Sequence, residues 1–97
     1  MKDVFLDLYK RIESRKGSKI KSSYTKKLLS AGEKQIAQKF GEESAELIID
    51  FLKGSKKRTT EEAIDVIYHL FVLVSAKKIK FKDLEKEILK RKNVRQK

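Results

Sequence analysis

The sequence has no cysteine, no proline, no tryptophan and a single histidine in 97 residues. Without cysteine there is no disulfide, no thiolate metal site and no thiol nucleophile. One histidine excludes a histidine-rich metal centre. Without proline, no helix is broken by a missing N–H. Glycine stands only at 17, 32, 41 and 54. Long apolar runs are also missing. The best stretch, Ala63 to Ala76, is interrupted by Asp65 and His69. It is shorter than the roughly 20 residues a membrane span requires. The opening MKDVFLDLYK carries charges where a signal peptide has its apolar core. A soluble intracellular protein is therefore expected. At roughly 100–200 residues per domain, the chain makes one domain, 1–97, with an expected radius of gyration of about 12–13 Å.

Charge is abundant. There are 25 Lys plus Arg against 14 Asp plus Glu, a net charge of +11, and 40% of the residues are charged. Typical soluble domains carry about 25%. A surplus of this size suggests an anionic partner.

Hydrophobic periodicity divides the chain into helices. Val4, Leu8 and Ile12 form a helix-period stripe over 3–15. A basic loop, KGSKIKSS, fills 16–23. Ser22 or Ser23 can cap a short helix, 24–31, that Gly32 ends. The longest helix is expected over 33–53, with Ile36, Phe40, Leu47, Ile48, Phe51 and Leu52 on its buried side. Gly41 inside it costs about 1 kcal/mol relative to Ala and suits close helix packing or close ligand approach. After a basic turn, Gly54 to Arg58, Thr59 and Glu62 have capping-box spacing. They predict a helix to about Ala76 whose apolar residues cover most of its circumference. It should be the most buried helix. A last amphipathic helix, 82–91, carries Leu84, Ile88 and Leu89, and 92–97 reads as a frayed basic tail. The fold class is all-α: four main helices and one short one. So short a chain has little protein with which to cover a nearly all-apolar helix, and a homodimer that buries this helix between subunits is expected.

The acids are clustered. Seven of the fourteen lie between Glu42 and Asp65, and no Lys or Arg occurs from Glu42 to Leu52 or from Thr59 to Ala76. Glu42, Glu46 and Asp50 are spaced i, i+4, i+8 on one helix. Glu43 with Glu46, and Glu62 with Asp65, are i, i+3 pairs, and His69 follows Asp65 by one turn. Like charges at helical spacing repel, and burial sharpens the cost. An external cation removes it. Helices joined by a short turn run antiparallel, so Glu43 and Glu46 can face Glu62 and Asp65. Four converging carboxylates suit a hard octahedral ion, Mg²⁺ or Mn²⁺. The other reading is a solvated acidic face with Glu61 and Glu62 serving a helix N-terminus. His69, Tyr68 and Gly41 each also read as packing residues. Residues 15–27, RKGSKIKSSYTKK, combine cations, hydroxyls and a helix N-terminus, the groups that hold phosphate. No Walker A loop or GxGxxG is present. A metal–carboxylate centre rimmed by phosphate-binding groups would suit hydrolysis of a nucleoside polyphosphate.

The stretch K-F-G-E-E-S-A-E (39–46) followed by E-A-I-D-V-I-Y-H-L (62–70) resembles the phosphoribosyl-ATP pyrophosphatase family. The carboxylates resemble the EExxE…ExxD signature of the wider MazG-like all-α NTP pyrophosphohydrolases. Ser23-Tyr24-Thr25 with Leu28, Leu29 and Gly32 is similar to a stretch specific to the histidine-pathway enzymes, and Arg15 and Arg91 match family positions. The resemblance runs from Val4 to Arg91. It implies a helical bundle completed by homodimerisation (or a higher homo-oligomer), a cytoplasmic location, and no membrane or nucleic-acid partner. It implies Mg²⁺-dependent hydrolysis of phosphoribosyl-ATP to phosphoribosyl-AMP and pyrophosphate in histidine biosynthesis. Glu43, Glu46, Glu62 and Asp65 would ligate the metal, with Mn²⁺ as a substitute. Glu42 would orient or deprotonate the attacking water. Arg15, Ser23, Tyr24, Thr25 and Lys39 would contact substrate. Asp50 departs from the pattern: relatives usually carry a small apolar residue there. The cysteine-ligated zinc domain fused to some relatives is not expected here. Two alternatives stand beside this reading. One is a MazG-like enzyme acting on another nucleoside triphosphate. The other is a small basic nucleic-acid-binding module, supported by charge alone.

Overall fold

A computed structural model describes residues 3–16 and 23–94. Most of the basic loop, and the tail beyond Val94, lie outside the described residues. Five helices follow one another: α1 (Val4–Ser14), α2 (Tyr24–Ala31), α3 (Glu33–Lys53), α4 (Lys56–Ala76) and α5 (Phe81–Val94). Among the described residues there is no strand, so the all-α expectation holds.

Local chemistry accounts for the boundaries. The Asp3 side chain caps α1 by accepting from the Leu6 N–H. Ser23, one of the two candidates, caps α2 by accepting from Lys26 N–H at 3.2 Å. Gly32 sits at φ +98 between α2 and α3, a backbone region that glycine enters without steric cost. The start of α4 corrects the sequence reading. Ser55, not Thr59, is the N-cap, accepting from Arg58 N–H. Thr59 lies inside the first turn, its hydroxyl bonded to the carbonyls of Asp50 and Ser55. The basic residues of the expected turn therefore begin the helix. α5 is also longer than expected and carries helix through the first part of the expected tail.

α3 and α4 form an antiparallel hairpin that is the spine of the molecule. Each has 21 residues, about 32 Å of helix. α1 packs on α4, and α2 packs on both α3 and α4. Tyr9, Ile12, Leu28, Ile36, Phe71, Val72 and Val74 form the core. Edge-to-face ring contacts join Tyr9 to Phe71 at 5.4 Å, and Phe81 of α5 meets the Tyr9 ring at 5.6 Å. Tyr9 also donates its hydroxyl to the Ile79 carbonyl. α4 contributes the most buried side chains of any helix, as its composition implied.

The core is smaller than the periodicity suggested. On α3 only Ile36 is fully buried, and Phe40 and Leu47 are half-buried. Ile48, Phe51 and Leu52 are 59%, 73% and 70% exposed, and Val4, Ile88 and Leu89 are exposed as well. The radius of gyration is 15.0 Å, above the value for a compact chain of this length. The accessible surface is 7737 Å², whereas about 5,700 Å² is usual for a compact monomer of this mass. A stripe that is apolar in sequence is buried only where the same chain supplies a neighbour.

Candidate active site

The hairpin turn sets the register of the acids. Thr59 and Gly54 both bond to the Asp50 carbonyl, the latter at 2.8 Å. A side chain at 54 would bring a Cβ within 2.9 Å of that oxygen, so the turn needs glycine. This tight closure lays the middle of α3 against the second and third turns of α4.

One carboxylate oxygen each from Glu43, Glu62 and Asp65 lies within 4.8 Å of the other two. Burial grades across the trio: Glu62 is buried, Glu43 half-buried and Asp65 exposed. Glu62 is only 8% exposed, and its Oε2 is buried with no hydrogen-bond partner among the described residues. Burial pushes the Glu43 and Glu62 carboxyls above their ordinary range, and the Glu46 and Asp65 charges push in the same direction. Glu46 is exposed and stands outside the trio. The four-carboxylate convergence expected from spacing is therefore a cluster of three, with Glu46 beside it and felt through its charge.

Cations sit around the cluster. Lys39 Nζ is 3.7 Å from Glu42 and 3.9 Å from Glu43. Glu42 also accepts from Gln38 and lies on the exposed rim. Arg58 was not singled out by sequence, but its guanidinium lies 3.4 Å from Glu62 Oε1 and 3.6 Å from Asp50 Oδ2. Asp50 is thus tied into the acid network and is not a plain surface acid. A charge count of the turn hinted at Arg58. Its reach back to the preceding helix is a tertiary fact.

The aromatic and hydroxyl residues form a wall. His69 is buried, with Nδ1 at 2.7 Å from the Asp65 carbonyl and Nε2 at 3.0 Å from the Tyr24 hydroxyl. The first contact puts the ring proton on Nδ1, so Nε2 accepts from Tyr24. Tyr24 stacks on Tyr68 at 6.2 Å, and Tyr68 shares a hydrogen bond with Thr25. Arg15 acts electrostatically on the Tyr68 hydroxyl. The S-Y-T stretch, Arg15 and the Tyr68-His69 pair are therefore neighbours. Ser23 serves as the α2 cap. Arg91 bonds Glu87 on its own helix. Among the described residues Gly41 has no neighbour on its open side: a Cβ there would meet no atom of another element within 4 Å.

The donor set fits a hard divalent cation. It is all oxygen, it spans the 4–5 Å or so separating opposite ligands of one such ion, and one of its members, Glu62, keeps a buried oxygen without a partner among the described residues.

The class these features define is an all-α protein whose antiparallel helix hairpin presents a cluster of three carboxylates. A profile of the family described as Phosphoribosyl-ATP pyrophosphohydrolase matches residues 5–92. A phosphoribosyl-ATP pyrophosphatase of Bacillus cereus is 45% identical over 91 residues, covering 94% of this chain and 85% of the relative. One from a Jannaschia species is 47% identical over 77 residues, 79% of this chain and 76% of its own length. One from Paracoccus denitrificans is 40% identical over 84 residues. The chain belongs to the phosphoribosyl-ATP pyrophosphohydrolase family.

Proposed function

We propose that this chain hydrolyses phosphoribosyl-ATP between its α- and β-phosphates, releasing phosphoribosyl-AMP and pyrophosphate in histidine biosynthesis. Glu43, Glu62 and Asp65 would hold Mg²⁺, or Mn²⁺ in its place, with Glu46 beside them. The bound ion would neutralise phosphate oxygens and lower the barrier to attack by water. The observation that carries this reading is Glu62. A protein keeps a buried carboxylate oxygen unpartnered among other acids at a folding cost, and a cation bound there removes the cost.

The remaining residues divide the work by position. Glu42, on the rim and held by Gln38 and Lys39, is placed to orient or deprotonate the attacking water. Lys39 and Arg15 would meet phosphate. Tyr24 and Thr25 would line the substrate on the aromatic side, and Ser23 fixes the start of their helix. In this reading the chain is a single domain acting in the cytoplasm. It acts as a homodimer, because its surface exceeds that of a compact monomer by roughly 2,000 Å², more than the roughly 800 Å² per partner of a standard interface.

The test is pyrophosphate release from phosphoribosyl-ATP with Mg²⁺ and with EDTA, beside a dNTP panel. Mg²⁺-dependent release from phosphoribosyl-ATP alone is expected. Release only from the panel would refute the substrate, and equal release in EDTA would refute the metal.

A further inference from the structure

Among the described residues, the ion pairs of Asp50, Glu61 and Glu62 are all made with one side chain, Arg58. Its two terminal nitrogens divide the work: Nη2 faces Asp50 and Glu62, and Nη1 lies 3.8 Å from Glu61 Oε1. The guanidinium is therefore anchored from both helices of the hairpin. It reaches Oε1 of Glu62 and leaves Oε2, the buried oxygen without a partner, untouched. One oxygen of the carboxylate thus meets a fixed cation of the protein, and the other is buried without a partner among the described residues.

We propose that Arg58 is a resident counter-cation of the carboxylate centre, anchored by Asp50 and Glu61, which weakens divalent-ion binding there and keeps the ion exchangeable. The inference rests on the metal reading above. Two opposite effects of Arg58 are conceivable, and the geometry decides between them. If Arg58 held Glu62 in place, its removal would loosen the ion. Yet the Glu62 side chain is already nine-tenths buried, whereas Arg58 is 59% exposed and its contact is long. Packing between α3 and α4 orients Glu62, so what Arg58 adds is charge. That charge stabilises the metal-free acids and would repel a cation held by the Glu43, Glu62 and Asp65 carboxylates. For a monovalent and a divalent charge about 6 Å apart in a wet, salt-screened setting, the repulsion corresponds to roughly threefold to tenfold in affinity. A polyphosphate enzyme gains from this, because an ion that is not held too tightly can arrive with substrate and leave with pyrophosphate.

The experiment is calorimetric titration of the whole chain with MnCl₂ alone, with thermal melts in EDTA and in excess Mg²⁺, for wild type, Arg58→Gln and Arg58→Lys. Arg58→Gln is expected to bind Mn²⁺ roughly threefold to tenfold more tightly. It should melt below wild type in EDTA, and the gap should narrow or reverse in Mg²⁺. Arg58→Lys, which keeps the charge, should return both readouts toward wild type. Unchanged or weaker Mn²⁺ binding by Arg58→Gln would overturn the proposal, and so would an equal loss of melting temperature in both media. Arg58→Lys behaving as Arg58→Gln would overturn the charge mechanism. Should Arg58→Gln not fold, Arg58→Lys decides alone: wild-type affinity supports the proposal and a change refutes it. If wild type itself binds no Mn²⁺, the metal reading falls and takes this proposal with it. Binding by wild type with no tightening in the variant removes only this proposal.

Discussion

An aspartate at position 48 tests whether the exposed face of α3 is an interface between copies of the chain. Ala37, Gly41, Ser44, Ala45, Ile48, Phe51 and Leu52 share one face of α3 at helical spacing. The small residues at one end leave room for a second helix, and the large ones at the other end are open to solvent. Ile48 lies between the two ends and is 59% exposed. Fully burying an isoleucine contributes about 1.5–3 kcal/mol. Covering the exposed share is therefore worth about 1–2 kcal/mol per copy, and about 2–4 kcal/mol in a two-fold dimer where each residue is used twice. Ile48→Asp removes that contribution and adds the cost of desolvating a charge. The dimer should weaken at least thirtyfold or so, and up to about a thousandfold on the apolar loss alone. Sedimentation velocity across a wide concentration range measures the change, and circular dichroism checks that the helices persist. A wild type that stays monomeric when concentrated would refute the interface. So would an Ile48→Asp variant that dimerises as tightly as wild type.

The other predictions concern the centre and the core. Glu43→Gln and Glu62→Gln should each cut pyrophosphate release by roughly 10²-fold or more, yet the metal-free melt should not fall, because the charges removed repel their neighbours. Acidification toward the ordinary carboxylate range should stabilise the metal-free protein. The folded pKa values of Glu43 and Glu62 lie above the ordinary 4.5, so the native state binds more protons than the unfolded chain in the window between. This gain is complete below the unfolded value and is lost as pH rises through the raised folded values. A melt series in EDTA that shows stability falling as pH is lowered across that window would refute it. By the same sign, Mn²⁺ affinity should fall on acidification at a higher pH than for ordinary carboxylates, which a titration series reads directly. Ile12→Ala, at a site 2% exposed, should cost about 2–5 kcal/mol in chemical denaturation.

Much of the site was legible because its chemistry is written at fixed spacing along two helices. The i, i+3 pairs and the lack of interleaved lysines predict that Glu43, Glu62 and Asp65 meet, and one carboxylate oxygen of each lies within 4.8 Å of the other two. Spacing within a helix does not fix rotation against its neighbour, so Glu46 was grouped with the trio although it lies outside. The pairing of Arg58 with Asp50 is not legible in the sequence for a related reason. Their pairing spans the turn, and it depends on Ser55 capping α4 one turn earlier than the Thr59–Glu62 spacing suggested. The Tyr24–His69 bond links residues 45 positions apart, and nothing local to either announces it.

The boundary between the two kinds of knowledge follows from the range of the forces. Helix content, a serine cap at 22 or 23, the break at Gly32 and the separation of acids from lysines come from interactions between residues a few positions apart, and the sequence alone determined them. Which apolar stripe is covered depends on which neighbour arrives. Only the tertiary structure decided that Ile36 is buried while Ile48, Phe51 and Leu52 remain exposed on the same helix. It also decided that one oxygen of Glu62 meets Arg58 while the other is buried with no partner among the described residues, because that depends on the rotation and register of α3 against α4.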